Sequence, residues 1–322
     1  MSLHRKRVAV VRGGPSAEYS VSLKTGEAVL RHLNREKYQP HDVVLTRDGV
    51  WYINGVRSTF ADIAQHSDVI FNAMHGEFGE DGKAQQLFQS FGIPYTGSDA
   101  VASAIGMHKG LAKERFADAG LKVARGEVIP RDAEMSGVAY HLAQDMGFPL
   151  IVKPVTGGSS VATRIARNET DLVIAMDAAA KYGDVLVEEY IEGKEGTCAV
   201  VDTGDGEHFV LYPIEIRPHA SKELFDFDAK YDGSSEEICP GNFTLAMMSR
   251  MRDAASLAHR AIGARHYSRS DFIVTPSDVY ILEINTLPGL TDSSLLPKAL
   301  EASNVSMSEF LEHVIELALR GK

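Results

Sequence analysis

Two apolar segments near the end of the chain, FIV and VYILEI, constrain the fold most strongly, because they predict one β-hairpin. Both are rich in β-branched and aromatic residues, and the TPSD between them has the composition of a turn. Residues two apart on a strand share a face, so Arg269 accompanies Asp271, and Glu283 accompanies Asn285. A loop of residues 276–278 predicts that Asp271 faces Glu283 and that Arg269 faces Asn285.

This patch of side chains predicts a metal site. Two carboxylates and a carboxamide supply hard oxygen ligands, which suit Mg²⁺ bound to substrate phosphates. The alternative is that Asp271 and Glu283 are simply ion-paired with Arg269, since two acids on an apolar hairpin would be costly without pairing. Other segments agree with the metal interpretation, which we therefore favour.

Composition and charge exclude several classes of protein. The 322 residues are 44% hydrophobic and 24% charged, as in ordinary globular proteins of two or three domains. A net charge of -11 argues against non-specific binding to nucleic acid or to a membrane, because either needs a basic face. Two scattered cysteines, Cys198 and Cys239, are too few for a disulfide framework or a zinc cluster and fit a reducing cytoplasm.

The order of strand and helix patterns predicts three domains. Residues 1–97 alternate strands and helices, the pattern of a parallel α/β sheet. Residues 98–191 begin with helical sequence and continue with short strands. Residues 192–322 mix strands and helices, and Ser306 with Glu309 forms a capping box before the last helix.

Within these domains, 100–119 is predicted as helical sequence and 92–97 as a short strand and turn. No apolar run approaches the length of a membrane span, and the VAVV near the N-terminus is too short for a signal peptide. The other strands predicted in the first two domains lie at 8–11, 42–46, 68–74, 150–154 and 186–191.

A lysine at the end of an apolar strand is a second candidate site. In LIVKPVTGGSSVA, Lys153 precedes a glycine turn, where the hydroxyls of Ser159 and Ser160 can donate to phosphate oxygens. The segment is not a Walker A loop, since it lacks that spacing and leads into a strand. A lysine at a strand end is usually only solvated, but its apolar neighbours favour one aimed at a ligand.

The segment LVEEYIEGKE predicts a strand edge that can pair with an adenine base. It places Glu188 and Tyr190 on one face and Glu189 and Ile191 on the other, and the nearby Glu195 can take ribose hydroxyls. An edge strand carrying solubilising charges explains this segment equally well.

Three loops carry further candidates. Glu18 follows a strand and a turn, where α/β sheets bind ligands, although an acid there is also a common helix cap. His75 lies in a glycine-rich loop, where a lone histidine is more often structural or solvent-facing than ligand-binding. The long segment 223–241, with Lys230 and Tyr231, predicts a lid; the alternative, a disordered excursion, disagrees with its aromatic content.

Taken together, the chain resembles the D-alanine–D-alanine ligases of the ATP-grasp superfamily over nearly its whole length. The resemblance implies a three-domain α/β fold with α+β character, in which a parallel N-terminal domain precedes two domains that enclose ATP between antiparallel sheets. It implies ATP-dependent ligation of two D-alanine molecules for peptidoglycan synthesis, by a cytoplasmic homodimer. The resemblance rests on five segments in the family's order: GGPSAEYSVSL, NAMHGEFGEDG, VKP…GGSSV, FDFDAKY…CPG and SRSDF…LEINTLPGLTDSSL.

The resemblance also implies a role for each candidate residue. Asp271, Glu283 and Asn285 are expected to hold two Mg²⁺ ions, with Mn²⁺ as a substitute. The residues expected at ATP are Lys109 and Lys153 at the phosphates with Ser160 nearby, Glu188, Glu189, Tyr190 and Ile191 at adenine, Glu195 at the ribose, and Lys230 as a further nucleotide-binding residue.

The remaining residues are expected at the two amino-acid substrates. Glu18 would bind the ammonium group of the first D-alanine and connect through Ser159 to Tyr231 of the lid, with His75 close by. The residues expected at the tetrahedral oxyanion and the second substrate are Arg269, Gly289 (through its backbone N–H), Ser294 and Leu295.

Three other functions compete with this one. An ATP-grasp ligase using D-serine or D-lactate as second substrate would share the ATP machinery, but Tyr231 in the lid favours the dipeptide. A silent ATP-binding protein would have lost a metal ligand or Arg269, and an oxidoreductase would need a glycine fingerprint at 12–18. The chain departs from the family at Ala162, where a glycine is usual, which bears on the stiffness of the nucleotide loop.

Overall fold

The structure is a computed structural model that describes residues 5–158, 162–217 and 235–321. Its first sheet has the strand order β4-β3-β2-β1-β5, in which β1 is parallel to both β2 and β5 and the other pairs are antiparallel. The strands of this sheet are β1 (Lys6–Gly13), β2 (Tyr38–Leu45), β3 (Trp51–Ile53), β4 (Val56–Ser58) and β5 (Val69–Asn72).

The β3–β4 hairpin is an element that the sequence reading missed. Its turn is Asn54-Gly55, and both residues have positive φ, +50° and +81°, as a two-residue hairpin turn requires. The segment 92–97, predicted as a strand and turn, forms only a single parallel bridge between Ile70 and Tyr95. The helices of this region are α1 (Tyr19–His32), α2 (Phe60–Gln65) and α3 (Lys83–Ser90).

The helical sequence predicted over 100–119 is confirmed, and it is divided into two helices: α4 (Ala100–Met107) and α5 (Lys109–Asp118). His108 between them has an extended backbone, and its ring Nδ1 accepts the backbone N–H of Leu111 as a cap for α5. The break frees the N–H of Lys109 from a continuous helix, and it donates instead to the carbonyl of Val155 at 2.9 Å.

A four-stranded antiparallel sheet follows, in the order β7-β10-β8-β9. Two helices, α6 (Met135–Met146) and α7 (Glu169–Ala180), share an apolar core with this sheet. Its strands are β7 (Gly126–Ile129), β8 (Leu150–Pro154), β9 (Arg164–Ala166) and β10 (Val185–Glu189).

The third sheet runs in the order β14-β13-β11-β15-β16-β6, and β12 also pairs with β11. Its strands are β6 (Lys122–Val123), β11 (Lys194–Asp202), β12 (His208–Val210), β13 (Ile214–Arg217), β14 (Glu236–Ile238), β15 (Tyr267–Val274) and β16 (Val279–Asn285). The helices associated with it are α8 (Leu245–Ala261), α9 (Leu295–Ala302) and α10 (Met307–Leu319).

The last helix joins the two ends of the chain in one core. The predicted capping box is confirmed, since Ser306 and Glu309 exchange side chain-to-backbone hydrogen bonds at the start of α10. Its apolar face, including Phe310 and Ile315, is buried in a cluster that also contains Phe71 of β5. In the described parts of the chain, no helix combines the length and the apolar character needed to cross a membrane.

The predicted pairing across the β15–β16 hairpin is confirmed, although by a different route. Arg269 pairs with Asn285 and Asp271 with Glu283, but the turn has four residues, Thr275–Asp278, because Val274 pairs with Val279. A β-bulge between Asp271 and Phe272 compensates for the extra turn residue and restores the predicted register.

Candidate active site

A cleft of about 640 Å³ lies where loops of the first sheet meet the other two sheets. Five residues that were expected at the substrates or the oxyanion do not line it: His75, Arg269, Gly289, Ser294 and Leu295. The candidate residues that do line it are Glu18, Lys109, Lys153, Glu188, Glu189, Tyr190, Ile191, Glu195, Asp271 and Glu283. Asn285 lines a small adjoining recess together with Lys109 and Glu283. Four further candidates lie outside the described residues: Ser159, Ser160, Lys230 and Tyr231.

The hairpin places the three predicted metal ligands beside one another. Asp271 Oδ1 accepts hydrogen bonds from Thr197 Oγ1 at 2.6 Å and from Arg269 Nε at 3.0 Å, while its Oδ2 accepts from Arg269 Nη2 at 3.0 Å. The amide of Asn285 donates to the same Oδ2 at 3.3 Å, and Glu283 Oε2 lies 3.7 Å from Lys109 Nζ. The ion pair that was the alternative to a metal site is therefore present on the same patch.

The donor set fits a hard divalent cation. Asp271 and Glu283 offer carboxylate oxygens, and Asn285 offers its carbonyl oxygen after a rotation of the amide that leaves the strand pairing unchanged. Each carboxylate also has a cationic side chain beside it, since Arg269 pairs with Asp271 and Lys109 Nζ lies 3.7 Å from Glu283.

A buried cluster of one acid and two lysines forms one wall of the cleft. Glu188 on β10 lies between Lys153, whose Nζ is 2.5 Å from Oε2, and Lys113 on α5, which pairs with Oε1. Lys113 also donates to the carbonyl of Ala124 at 2.7 Å. Each of the three charged side chains is at most 9% exposed, so this cluster is held in a medium of low dielectric constant.

Burial acts against every charge in this cluster, and pairing counteracts it. Burial alone would raise the pKa of the Glu188 carboxyl, but the Lys153 and Lys113 ammonium groups together bring that pKa below its ordinary value. Burial also lowers the pKa of Lys113, against the attraction of Glu188.

The sequence reading placed Glu188 at adenine and missed Lys113. The four-residue spacing from Lys109, which puts both lysines on one side of α5, was the available signal.

Residues on both sides of the β8–β9 connection line the cleft: Thr156, Gly157 and Gly158 after β8, and Thr163 before β9. Lys109 Nζ donates to the carbonyl of Gly157 at 2.7 Å, so this lysine bridges the loop and the metal-ligand patch. Ala162 has a φ of +58°. An L-residue with a Cβ is disfavoured in this left-handed region, so the backbone at this position suits the glycine that the family resemblance implies.

The first-sheet loops bring a second pair of acids to the cleft. Glu18 is the N-cap residue of α1, as the helix-capping alternative expects, but its side chain makes no capping hydrogen bond. Glycine is required at Gly76, because φ is +70° and a Cβ would lie 2.8 Å from the Glu18 carboxylate. The backbone N–H of Gly76 donates to Glu80 Oε2 at 2.6 Å, and burial together with the charge of Glu18 raises the pKa of Glu80 to about 8.

His75 is buried behind this pair of acids. One ring nitrogen, Nε2, lies 2.8 Å from Thr25 Oγ1, and Ser16 Oγ donates to the His75 carbonyl at 2.7 Å. Burial lowers the pKa of the imidazole, although Glu18 opposes that shift, so the ring is neutral at pH 7. These contacts fix the loop that carries Gly76 against α1.

The loop after β16 carries the residues predicted for the second substrate. Ser294 Oγ lies 2.7 Å from Thr291 Oγ1 and accepts the N–H of Thr291 at 3.2 Å. A Cβ at Gly289 would lie 2.9 Å from Ser294 Oγ, so glycine permits this close approach of the loop to the start of α9. Leu295 packs against Ile216 of β13.

Comparison with known sequences gives one family for both parts of the chain. Residues 7–65 and 54–98 match the family described as D-ala D-ala ligase N-terminus, and residues 116–316 match D-ala D-ala ligase C-terminus. The D-alanine–D-alanine ligase of Syntrophobacter fumaroxidans is 39% identical over 324 residues, which cover 99% of each chain.

Solved structures agree with this result. The VanG D-Ala:D-Ser ligase from Enterococcus faecalis matches with a TM-score of 0.87 at 30% identity, over 98% of this chain and 100% of the other. A D-alanine–D-alanine ligase from Bacillus anthracis, complexed with ATP, matches with a TM-score of 0.82 at 30% identity, over 98% of each chain. Fold and cleft together define an enzyme of the ATP-grasp class. The chain belongs to the D-alanine–D-alanine ligase family.

We expect Glu188→Gln to lower the free energy of unfolding by about 3–5 kcal/mol, because two buried ammonium groups would lose their shared counter-charge. Urea unfolding at constant pH measures the loss. Glu189→Gln is the matched control, because Glu189 accepts only from the exposed backbone N–H of Arg125 and glutamine can replace it. Equal stabilities of the two variants would contradict the account of the cluster.

We expect Glu80→Gln to change how stability depends on pH. Unfolded Glu80 releases its proton near 4.5, whereas the folded protein keeps it up to about 8, so rising pH across this window favours unfolding of the wild type. Between about pH 5 and pH 8, the free energy of unfolding of the variant should therefore rise relative to that of the wild type by up to roughly 1.4 kcal/mol per pH unit. Urea unfolding across this range is the measurement, with Glu77→Gln as an exposed control; parallel curves for Glu80→Gln and wild type would refute it.

Proposed function

We propose that the protein joins two D-alanine molecules into D-alanyl-D-alanine, with conversion of ATP to ADP and phosphate, for peptidoglycan precursor synthesis. The observation that carries the proposal is that Asp271 and Glu283 line one cleft together with Lys109 and Lys153, with Asn285 in the adjoining recess. The family of the chain and the ATP-bound relative support it.

The first step activates a carboxylate, which otherwise resists nucleophiles. A carboxylate oxygen of the first D-alanine attacks the γ-phosphorus of ATP, ADP leaves, and D-alanyl phosphate forms. Lys109 and Lys153 bind the phosphates, and Glu18 holds the substrate ammonium group at the other end of the cleft. Asp271, Glu283 and Asn285 would hold two Mg²⁺ ions, which when bound offset the charge of the phosphates.

The second step forms the peptide bond. The amine of the second D-alanine attacks the acyl carbon, the tetrahedral oxyanion collapses, and phosphate leaves while the amine loses a proton. Arg269 and the N–H of Gly289 stabilise the oxyanion, and preorganised donors of this kind are each worth about 3–4 kcal/mol of barrier. Ser294 and Leu295 receive the carboxylate of the second substrate.

The nucleotide lies along β10 and β11. The backbone of residues 188–191 pairs with adenine, and Glu195 takes the ribose hydroxyls. Glu188 has a further part in this proposal, since its ion pair holds Lys153 in place at the cleft wall. The roles of Ser159, Ser160, Lys230 and Tyr231 stay predictions, as do the proximity of His75 to the first D-alanine, the homodimer and the domain boundaries at 97 and 191.

Substrate use tests the proposal directly. Purified protein is incubated with ATP and Mg²⁺ together with D-alanine, L-alanine, D-serine, D-alanine plus D-serine, or D-alanine plus D-lactate, and phosphate release and product masses are measured. We expect release only with D-alanine present, and D-alanyl-D-alanine as the main product. Efficient formation of D-alanyl-D-serine or D-alanyl-D-lactate would replace the proposed second substrate, and ATP turnover without D-alanine would overturn the proposal.

We expect Glu283→Ala to reduce D-alanine-dependent turnover on the order of 100-fold or more, because it removes one of the two carboxylates proposed to hold the Mg²⁺ ions. The fold should persist, since Glu283 is at the edge of the cleft and not in an apolar core. Circular dichroism and phosphate release are the measurements, and Glu301→Ala, an exposed acid on α9, is the control. Near-normal turnover of a folded Glu283→Ala protein would exclude the metal assignment.

A further inference from the structure

A second cluster of ligand-type side chains lies away from the cleft, on the far end of the third sheet. It consists of Asp202 at the end of β11, His208 at the start of β12, and His259 in α8. None of the three lines the cleft, and none has a part in the proposed reaction. We name these three residues the His-His-Asp cluster.

The three side chains converge on one point. His259 Nε2 lies 3.0 Å from Asp202 Oδ1, His208 Nε2 lies 3.6 Å from the same oxygen, and all three atoms are within 4.8 Å of one another. Tetrahedral ligands of Zn²⁺ at about 2.0–2.1 Å are separated by roughly 3.3 Å. One histidine-to-carboxylate distance is slightly shorter than this value and the other is slightly longer.

The second nitrogen of each imidazole is held by a serine. His208 Nδ1 lies 2.8 Å from Ser256 Oγ, and His259 Nδ1 lies 2.7 Å from Ser268 Oγ. A neutral ring that donates through Nδ1–H presents the lone pair of Nε2 to the cluster, which is how a metal-binding histidine is normally oriented.

The carboxylate is oriented in the same way. Asp202 Oδ2 accepts the backbone N–H of His266 at 2.5 Å, which leaves Oδ1 directed at the two histidines. The N–H of Asp202 donates to the carbonyl of His266 at 2.9 Å, so this end of β11 is fixed from both sides. The cluster is therefore built by backbone and side-chain contacts that do not depend on its members pairing with each other.

One member has no hydrogen bond toward the cluster. His259 is 1% exposed, and its Nε2 makes no hydrogen bond of standard geometry, although Asp202 Oδ1 lies 3.0 Å from it. A buried polar atom without a partner costs free energy unless something else satisfies it. The Asp202 side chain is 22% exposed, which gives a cation a route from solvent.

We propose that the His-His-Asp cluster binds one divalent transition metal, with Zn²⁺ as the preferred ion and water completing its coordination. Two imidazole nitrogens and one carboxylate oxygen select zinc or cobalt over Mg²⁺, which takes oxygen ligands. The bound ion would connect the β11–β12 pair to α8, so its role is to stabilise this part of the third sheet. The earlier expectation was that two scattered cysteines are too few for a zinc cluster. That expectation concerned thiolate ligands and does not apply to a site made of histidine and aspartate.

Zinc binding to the chelator-treated full-length protein tests the proposal. Isothermal titration with Zn²⁺ is run in excess Mg²⁺, which occupies the cleft, and bound zinc is counted by mass spectrometry after gel filtration. We expect one zinc per chain and a melting temperature that rises with zinc and not with additional Mg²⁺. Absence of saturable zinc binding would overturn the proposal and leave the cluster as an ion pair only.

Variants assign the binding to the cluster. We expect Asp202→Asn and His208→Gln to abolish the zinc-dependent rise in melting temperature, and Ser256→Ala to weaken binding by about 10–100-fold through loss of orientation of His208. His66→Gln, an exposed histidine, and Glu283→Ala, in the cleft, should bind zinc like the wild type. Unchanged zinc affinity in folded His208→Gln and Ser256→Ala proteins would refute the site.

Discussion

The antiparallel ladder between β15 and β16 is the constraint on which the rest of the cleft depends. Its register places Asp271 opposite Glu283 and Arg269 opposite Asn285, and a slip of one residue would turn each of these side chains to the other face. The bulge after Asp271 keeps the polar end of the hairpin in register while the turn end follows a different pairing. The same strands form part of the core that holds α8, so the position of the metal-ligand patch is fixed by apolar packing.

The opposite wall of the cleft depends on charge. Glu188, Lys153 and Lys113 are buried together, and any one of them alone would be costly at this depth. Lys109 extends from α5 to the glycine loop and to Glu283, so one short helix carries lysines that reach both walls. The kink at His108 makes this possible, since it gives α5 its own direction and its own cap.

Sequence patterns with short range were read correctly. The capping box of α10, the two strands of the hairpin and the β8 strand ending at Lys153 follow from local periodicity and turn chemistry. What was missed was also local: the division of 100–119 into two helices at His108, which lies between Gly106 and Gly110, and the Asn54-Gly55 turn, although the signal of that turn is strong. The five family segments then carried the assignment of fold and family.

The sequence by itself determined which residue types face one another across the hairpin and which family the chain belongs to, because alternation and motif order are written along the chain. Only the tertiary structure decided that Lys113 shares Glu188 with Lys153, and that Glu18 raises the pKa of Glu80. Only it brought Asp202, His208 and His259 to one point. Burial and distance set these interactions, and both arise from packing between segments that lie far apart in sequence.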